Sequence, residues 1–85
     1  MTRKEFISFL EENSIDCSIV SFDNTTKDGY IIRKNYYRWE TLFRERGCEY
    51  NVIGFPSESD ALSHLAEELL FLKTRVKDTF EHPQG

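Results

Sequence analysis

From Tyr36 to Phe43 the chain alternates, with Tyr37, Trp39, Thr41 and Phe43 on one side and Tyr36, Arg38, Glu40 and Leu42 on the other. A period of two is the signature of a strand, whose successive side chains point to opposite faces. The first set, dominated by bulky apolar residues, is expected to face the core. On either side lie further β-rich segments, Tyr30–Lys34 and Tyr50–Phe55, and the links between them are short. Such links allow hairpins, whereas a parallel crossover normally takes a dozen residues or more. An antiparallel sheet is therefore the strongest constraint that the sequence places on the fold.

Cys17–Phe22 is β-branched and partly alternating, so it reads as one more strand ahead of these three. The polar stretch 23–29 that follows ends in Asp28-Gly29, a strong turn pair. Arg44-Glu45-Arg46-Gly47 reads as a charged turn whose glycine permits a positive φ. Helical spacing appears only at the two ends. Thr2 and Glu5 have the spacing of a capping box, Phe6, Phe9 and Leu10 form one apolar stripe, and Asn13-Ser14 offers an exit. Ser57 and Asp60 repeat the capping spacing after Pro56, and Ala61, Leu62, Leu65, Ala66, Leu69, Leu70, Phe71 and Leu72 give the longest and widest apolar stripe, with Val76 in position to continue it.

The expected fold is α+β, in the order α-β-β-β-β-α, with a four-stranded antiparallel sheet. Each helix is apolar on one side only, which predicts two layers with both helices on one sheet face and the other face open. Eighty-five residues suffice for one hydrophobic core but not two, so residues 1–80 are read as a single domain and 81–85 as a fraying tail. Twelve aromatic residues argue against disorder. No apolar run approaches the roughly 20 residues that span a bilayer, so a cytoplasmic protein without membrane contact is expected. Two cysteines, Cys17 and Cys48, are too few for a disulfide scaffold.

The net charge of −4 is unevenly distributed. Residues 5–23 hold five acids and no base, residues 27–46 hold six bases and three acids, and residues 47–72 again hold five acids and no base. Mutual neutralisation between helices and sheet accounts for this pattern, and so does an acidic face directed at a basic partner.

No pattern of catalytic or metal-binding residues stands out. Cys17, Cys48, His64 and His82 form no paired ligand motif, and neighbouring carboxylates such as Glu67-Glu68 diverge by about 100° on a helix. Neither a catalytic residue, a cofactor nor a metal is expected. Arg33, Lys34, Tyr36, Tyr37, Arg38 and Trp39 interleave bases with rings, as nucleic-acid binders do, but the acidic balance opposes a polyanionic ligand. Tyr36, Arg38 and Glu40, projecting from the open sheet face, and Arg44, Glu45 and Arg46 at the turn are the mixture favoured at protein interfaces. They are the first candidates for partner contact, with Asp23 and Asp28 second. A cross-strand lattice of salt bridges is the structural reading of the same residues.

The segment 28–72 resembles the small immunity proteins of bacterial polymorphic-toxin systems, in particular immunity protein family fifty-nine. The likeness lies in Asp28-Gly29-Tyr30, in Trp39-Glu40 heading a strand, in Phe43-Arg44-Glu45-Arg46-Gly47, and in Phe55 leading through Ser57-Glu58-Ser59-Asp60-Ala61 into the last helix. Cys48 and the Arg33-Lys34 pair fall outside that pattern. The resemblance implies a cytosolic, non-catalytic antitoxin that binds the toxic domain of a secreted effector, often a nuclease, and occludes its active site. Monomeric and homodimeric states both fit. A regulatory or structural module that homodimerises through the open sheet face is the alternative.

Overall fold

The computed structural model describes residues 1–22 and 27–81, with the side chains of the last helix described through Thr74. It is a small α+β domain: α1 (Arg3–Glu12), a 3-10 turn (Cys17–Ile19), β1 (Val20–Phe22), β2 (Gly29–Asn35), β3 (Arg38–Glu45), β4 (Cys48–Phe55) and α2 (Glu58–Glu81).

Local chemistry sets both helix starts. The Thr2 hydroxyl accepts from the Glu5 amide at 3.1 Å and the Glu5 carboxylate accepts from the Thr2 amide at 2.8 Å, completing the capping box. At α2 the Ser57 hydroxyl accepts from the Asp60 amide at 3.1 Å. Asn13 caps the end of α1, and Ser14 turns the chain away with a φ of 58°. Glu81 closes α2 rather than opening a tail, and residues 82–85 lie outside the described residues.

The sheet order is β1-β2-β3-β4. It is mixed, not purely antiparallel as the short links suggested: β2, β3 and β4 are antiparallel neighbours, but β1 runs parallel to β2, pairing Val20 with Tyr30 and Phe22 with Ile32. The usual crossover length applies to strands of ordinary length. A three-residue strand is only about 10 Å long, and the six residues between Phe22 and Gly29 can return that distance, since an extended chain spans about 3.3 Å per residue. The 3-10 turn also takes the first half of the segment expected to form β1.

The hairpin turns differ from expectation as well. Asn35 pairs with Arg38, so Tyr36 and Tyr37 form a two-residue loop instead of opening β3. Glu45 pairs with Cys48 around Arg46 and Gly47, which have φ of 53° and 80° as a type I′ turn demands. Arg44 and Glu45 therefore belong to the strand.

The core cluster comprises Phe6 and Leu10 of α1, Val20, Ile32, and Ala61, Leu62, Leu65, Ala66 and Leu69 of α2, with Phe22, Tyr30, Trp39 and Phe55 packed around it. By register, Trp39, Thr41 and Phe43 share this side of the sheet with Phe55, Ile53 and Tyr50. The alternation thus placed three residues of its expected core face correctly. Tyr37 is the exception: it lies in the loop and is 92% exposed.

Candidate protein-contact site

The side of the sheet opposite the core cluster is built around two carboxylates. Glu40 of β3 is only 1% exposed, although strand alternation directs it away from the core. It accepts hydrogen bonds from Arg33 Nε at 3.0 Å, Asn35 Nδ2 at 3.2 Å, and Arg38 Nε and Nη2 at 3.0 and 2.7 Å. Glu49 of β4 takes a two-pronged contact from Arg33, at 2.8 and 3.2 Å, and a third bond from Arg44 at 2.7 Å. Arg33 thereby links the two carboxylates across β2, β3 and β4, a fork geometry that a lysine could not supply.

The titration of these groups follows. Burial alone would raise the Glu40 carboxyl, but the hydrogen bonds from Arg38, Asn35 and Arg33 outweigh it and hold the group below its ordinary value. Arg33 and then Arg44 lower the more accessible Glu49 to about 2. Hydrogen bonding to Glu49 raises Arg33 further.

Gly54 makes this packing possible, because it pairs with Glu40 and the Arg38 side chain lies across it. A Cβ at position 54 would stand 2.8 Å from Arg38 Nη1 and 3.0 Å from its Cδ. The lattice is thus a tightly covered surface rather than an open array of free charges. Ile31 and Leu42, paired in register on this same side, are also buried.

The structure divides the expected contact residues. Tyr36 and Arg38 sit at one end of β3, where Tyr36 is 85% exposed. Arg44, Glu45 and Arg46 sit at the other end, about 20 Å away for a strand of this length, and the Arg46 amide donates to Asp28 Oδ1 at 3.1 Å. Glu40 is buried between them and cannot be a direct contact, and Arg44 is engaged with Glu49. This corrects the expectation that Glu40 projects to a partner: its arginine neighbours cover it. Asp23 lies outside the described residues.

Two residues that the sequence assigned to other roles, Tyr37 to the core face and Arg33 to a base-and-ring run, complete the picture. Tyr37 stands beside Tyr36 with ring centroids 6.4 Å apart, so the β2–β3 tip presents an aromatic pair. Its signal was the spacing of the flanking strands, hidden because the loop holds neither glycine nor an Asn-Gly pair. Arg33 is the other, and its partner Glu49 lies 16 positions away. Tyr36 has a φ of 60°, a left-handed conformation uncommon for a bulky residue. The tip is therefore strained, exposed and anchored at its base by Asn35 and Arg38, both bound to Glu40.

Elsewhere, Cys17 and Cys48 are free thiols. Among the described residues no group of three His, Cys, Asp or Glu side chains could hold a metal ion, and no helix is long and apolar enough to cross a membrane. Comparison with known proteins returned no matching protein family, no matching curated protein and no matching solved structure.

Proposed function

We propose that this chain is an inhibitory binding protein of the immunity type, which occludes a cognate toxin domain by surface contact and catalyses no reaction itself. The observation that carries the proposal is the β2–β3 tip, where Tyr36 and Tyr37 are 85% and 92% exposed on a strained two-residue loop held by the Glu40 lattice. Tyrosine and arginine dominate interface hot spots because they give large contact area and hydrogen bonds for little lost side-chain freedom. Strain of this kind is kept where neighbouring structure imposes it, and it gathers at binding sites. Both helices on one sheet face would leave the tip and the arginine side of the sheet for the partner. The resemblance of residues 28–72 to polymorphic-toxin immunity proteins supplies the partner class, a toxin with an occludable cleft such as a nuclease.

Co-expression with the protein encoded immediately upstream tests this reading. Rescue of growth by the native chain, and its loss in the Tyr36→Ala, Tyr37→Ala double variant with an unchanged far-ultraviolet spectrum, is the expected result. Absence of both rescue and complex formation counts against it.

A further inference from the structure

β4 ends the sheet, and its outer edge has the pattern of an interface between two copies of the chain. Opposite Leu42 the strand carries two residues, Asn51 and Val52, where a regular ladder would have one, and Asn51 has a φ of 55°. This bulge changes the alternation. Cys48, Tyr50, Ile53 and Phe55 lie on the side of Trp39 and Phe43, while Glu49, Asn51, Val52 and Gly54 lie on the side of Glu40. The order of faces is therefore the same read from either end of the strand.

We infer that this protein forms a two-fold dimer by antiparallel pairing of β4 with β4 of a second copy, centred between Asn51 and Val52. In that register Tyr50 meets Ile53 of the other copy, Glu49 meets Gly54, and Asn51 meets Val52, every pair on a shared face. Without the bulge, the same register would set each residue against one of the opposite face.

Three further observations favour a second copy as the occupant. In an antiparallel ladder the backbone groups alternate in direction, so the inward pairing of Cys48 with Glu45 beside the turn directs the Glu49 amide outward, and the inward pairing of Ile53 and Phe55 directs that of Gly54 outward. The register joins these two outward-directed residues. Charge also matches: Glu49 of one copy comes beside Gly54 of the other, across which Arg38 lies with its side chain 57% exposed. Finally, Tyr50, Val52 and Ile53 are 49%, 43% and 40% exposed on this edge strand, apolar area that a second copy would cover. Tyr50 against Ile53 is an aromatic and β-branched pair of the kind that stabilises sheets.

Light scattering under reducing conditions, from about 10 µM to about 1 mM, tests the inference. The native chain is expected to rise from 10.1 kDa toward twice that mass. Val52→Lys and Val52→Glu place like charges beside the two-fold axis at an exposed position, and each is expected to weaken self-association about tenfold or more while an equimolar mixture restores it. Far-ultraviolet spectra matching that of the native chain are expected for both variants. A native chain that stays at 10.1 kDa throughout, a dimer indifferent to both substitutions, or variants that fail to rescue each other would overturn the inference.

Discussion

At the scale of single residues, a buried carboxylate stays ionised only where its donors replace the water it has lost. Glu40 has four such bonds from three side chains. Glutamine keeps one acceptor oxygen but sets an amide NH2 against the arginine and asparagine donors and removes the charge that Arg33 and Arg38 pair with, so Glu40→Gln is expected to cost about 3 kcal/mol, the lower end for breaking a buried pair, because the half-exposed Arg38 regains water. Arg38→Ala removes two of the four bonds but opens Glu40 to water on that side, so it should cost less, about 1–2 kcal/mol. Urea unfolding reads both as a shift in midpoint at constant slope. Equal losses for the two variants would mean that Glu40 is no more buried in effect than its partner.

Backbone conformation gives a second contrast at this scale. Gly29 has a φ of 119°, and a Cβ there would stand 2.9 Å from the Ile19 carbonyl oxygen, which is backbone and cannot easily move. Gly29→Ala should therefore destabilise the protein by about 2 kcal/mol or more. Arg46 occupies the left-handed region with an exposed side chain, so Arg46→Asn should stabilise by roughly 1 kcal/mol, since asparagine tolerates that region better. Thermal midpoints moving in opposite directions would bear out both.

At the scale of elements, three strands are tied together by ionised groups, which makes sheet stability depend on pH. The folded Glu49 carboxyl titrates at about 2, below the ordinary glutamate value near 4.3 that applies in the unfolded chain. Its contribution is therefore complete above about pH 5 and is lost as the pH falls toward 2, because the unfolded chain takes up the proton first. Glu40 is shifted the same way and adds to the loss. Thermal unfolding from about pH 7 to about pH 2 should show a steep acid limb, flattened in Glu49→Gln, which has no carboxyl to titrate at that position. An unchanged limb would place the acid sensitivity elsewhere.

The same scale shows which features could be read in advance. Both helix starts were legible because Thr2 with Glu5, and Ser57 with Asp60, make bonds within one turn, where sequence spacing and spatial distance coincide. Trp39, Thr41 and Phe43 were legible because strand alternation is local too. The parallel pairing of β1 was not, since nothing in Val20–Phe22 records which edge of β2 it joins or in what direction. Tyr37 was misplaced because the turn lacks the usual glycine or asparagine and continues the strand pattern. The candidate site was half legible: its residue types were identified, but the burial of Glu40 depends on Arg33, Asn35 and Arg38 converging from two strands.

At the scale of the whole molecule, acids and bases are segregated by element. Glu5, Glu11 and Glu12 of α1 and Asp60 and Glu67 of α2 are exposed, while the bases of the middle segment lie on or beside the sheet, where two carboxylates offset three of its arginines. A charged partner approaching from a distance senses these exposed helical acids more strongly than the compensated sheet. Steering by these acids and anchoring by Tyr36 and Tyr37 should then be separable in kinetics. Raising salt from about 0.05 to about 0.5 M shortens the screening length from roughly 14 to roughly 4 Å, which should slow association with the proposed partner and leave dissociation nearly unchanged. Neutralising Glu11 and Glu12 together with glutamine should slow association at low salt and reduce its salt dependence. The Tyr36→Ala, Tyr37→Ala variant should instead accelerate dissociation, because aromatic anchors act after encounter and the field acts before it. Stopped-flow mixing at several salt concentrations measures both rates, and the sign decides between the two charged regions. If neutralising Glu11 and Glu12 speeds association, the partner is itself acidic at the contact and the arginine side of the sheet does the steering.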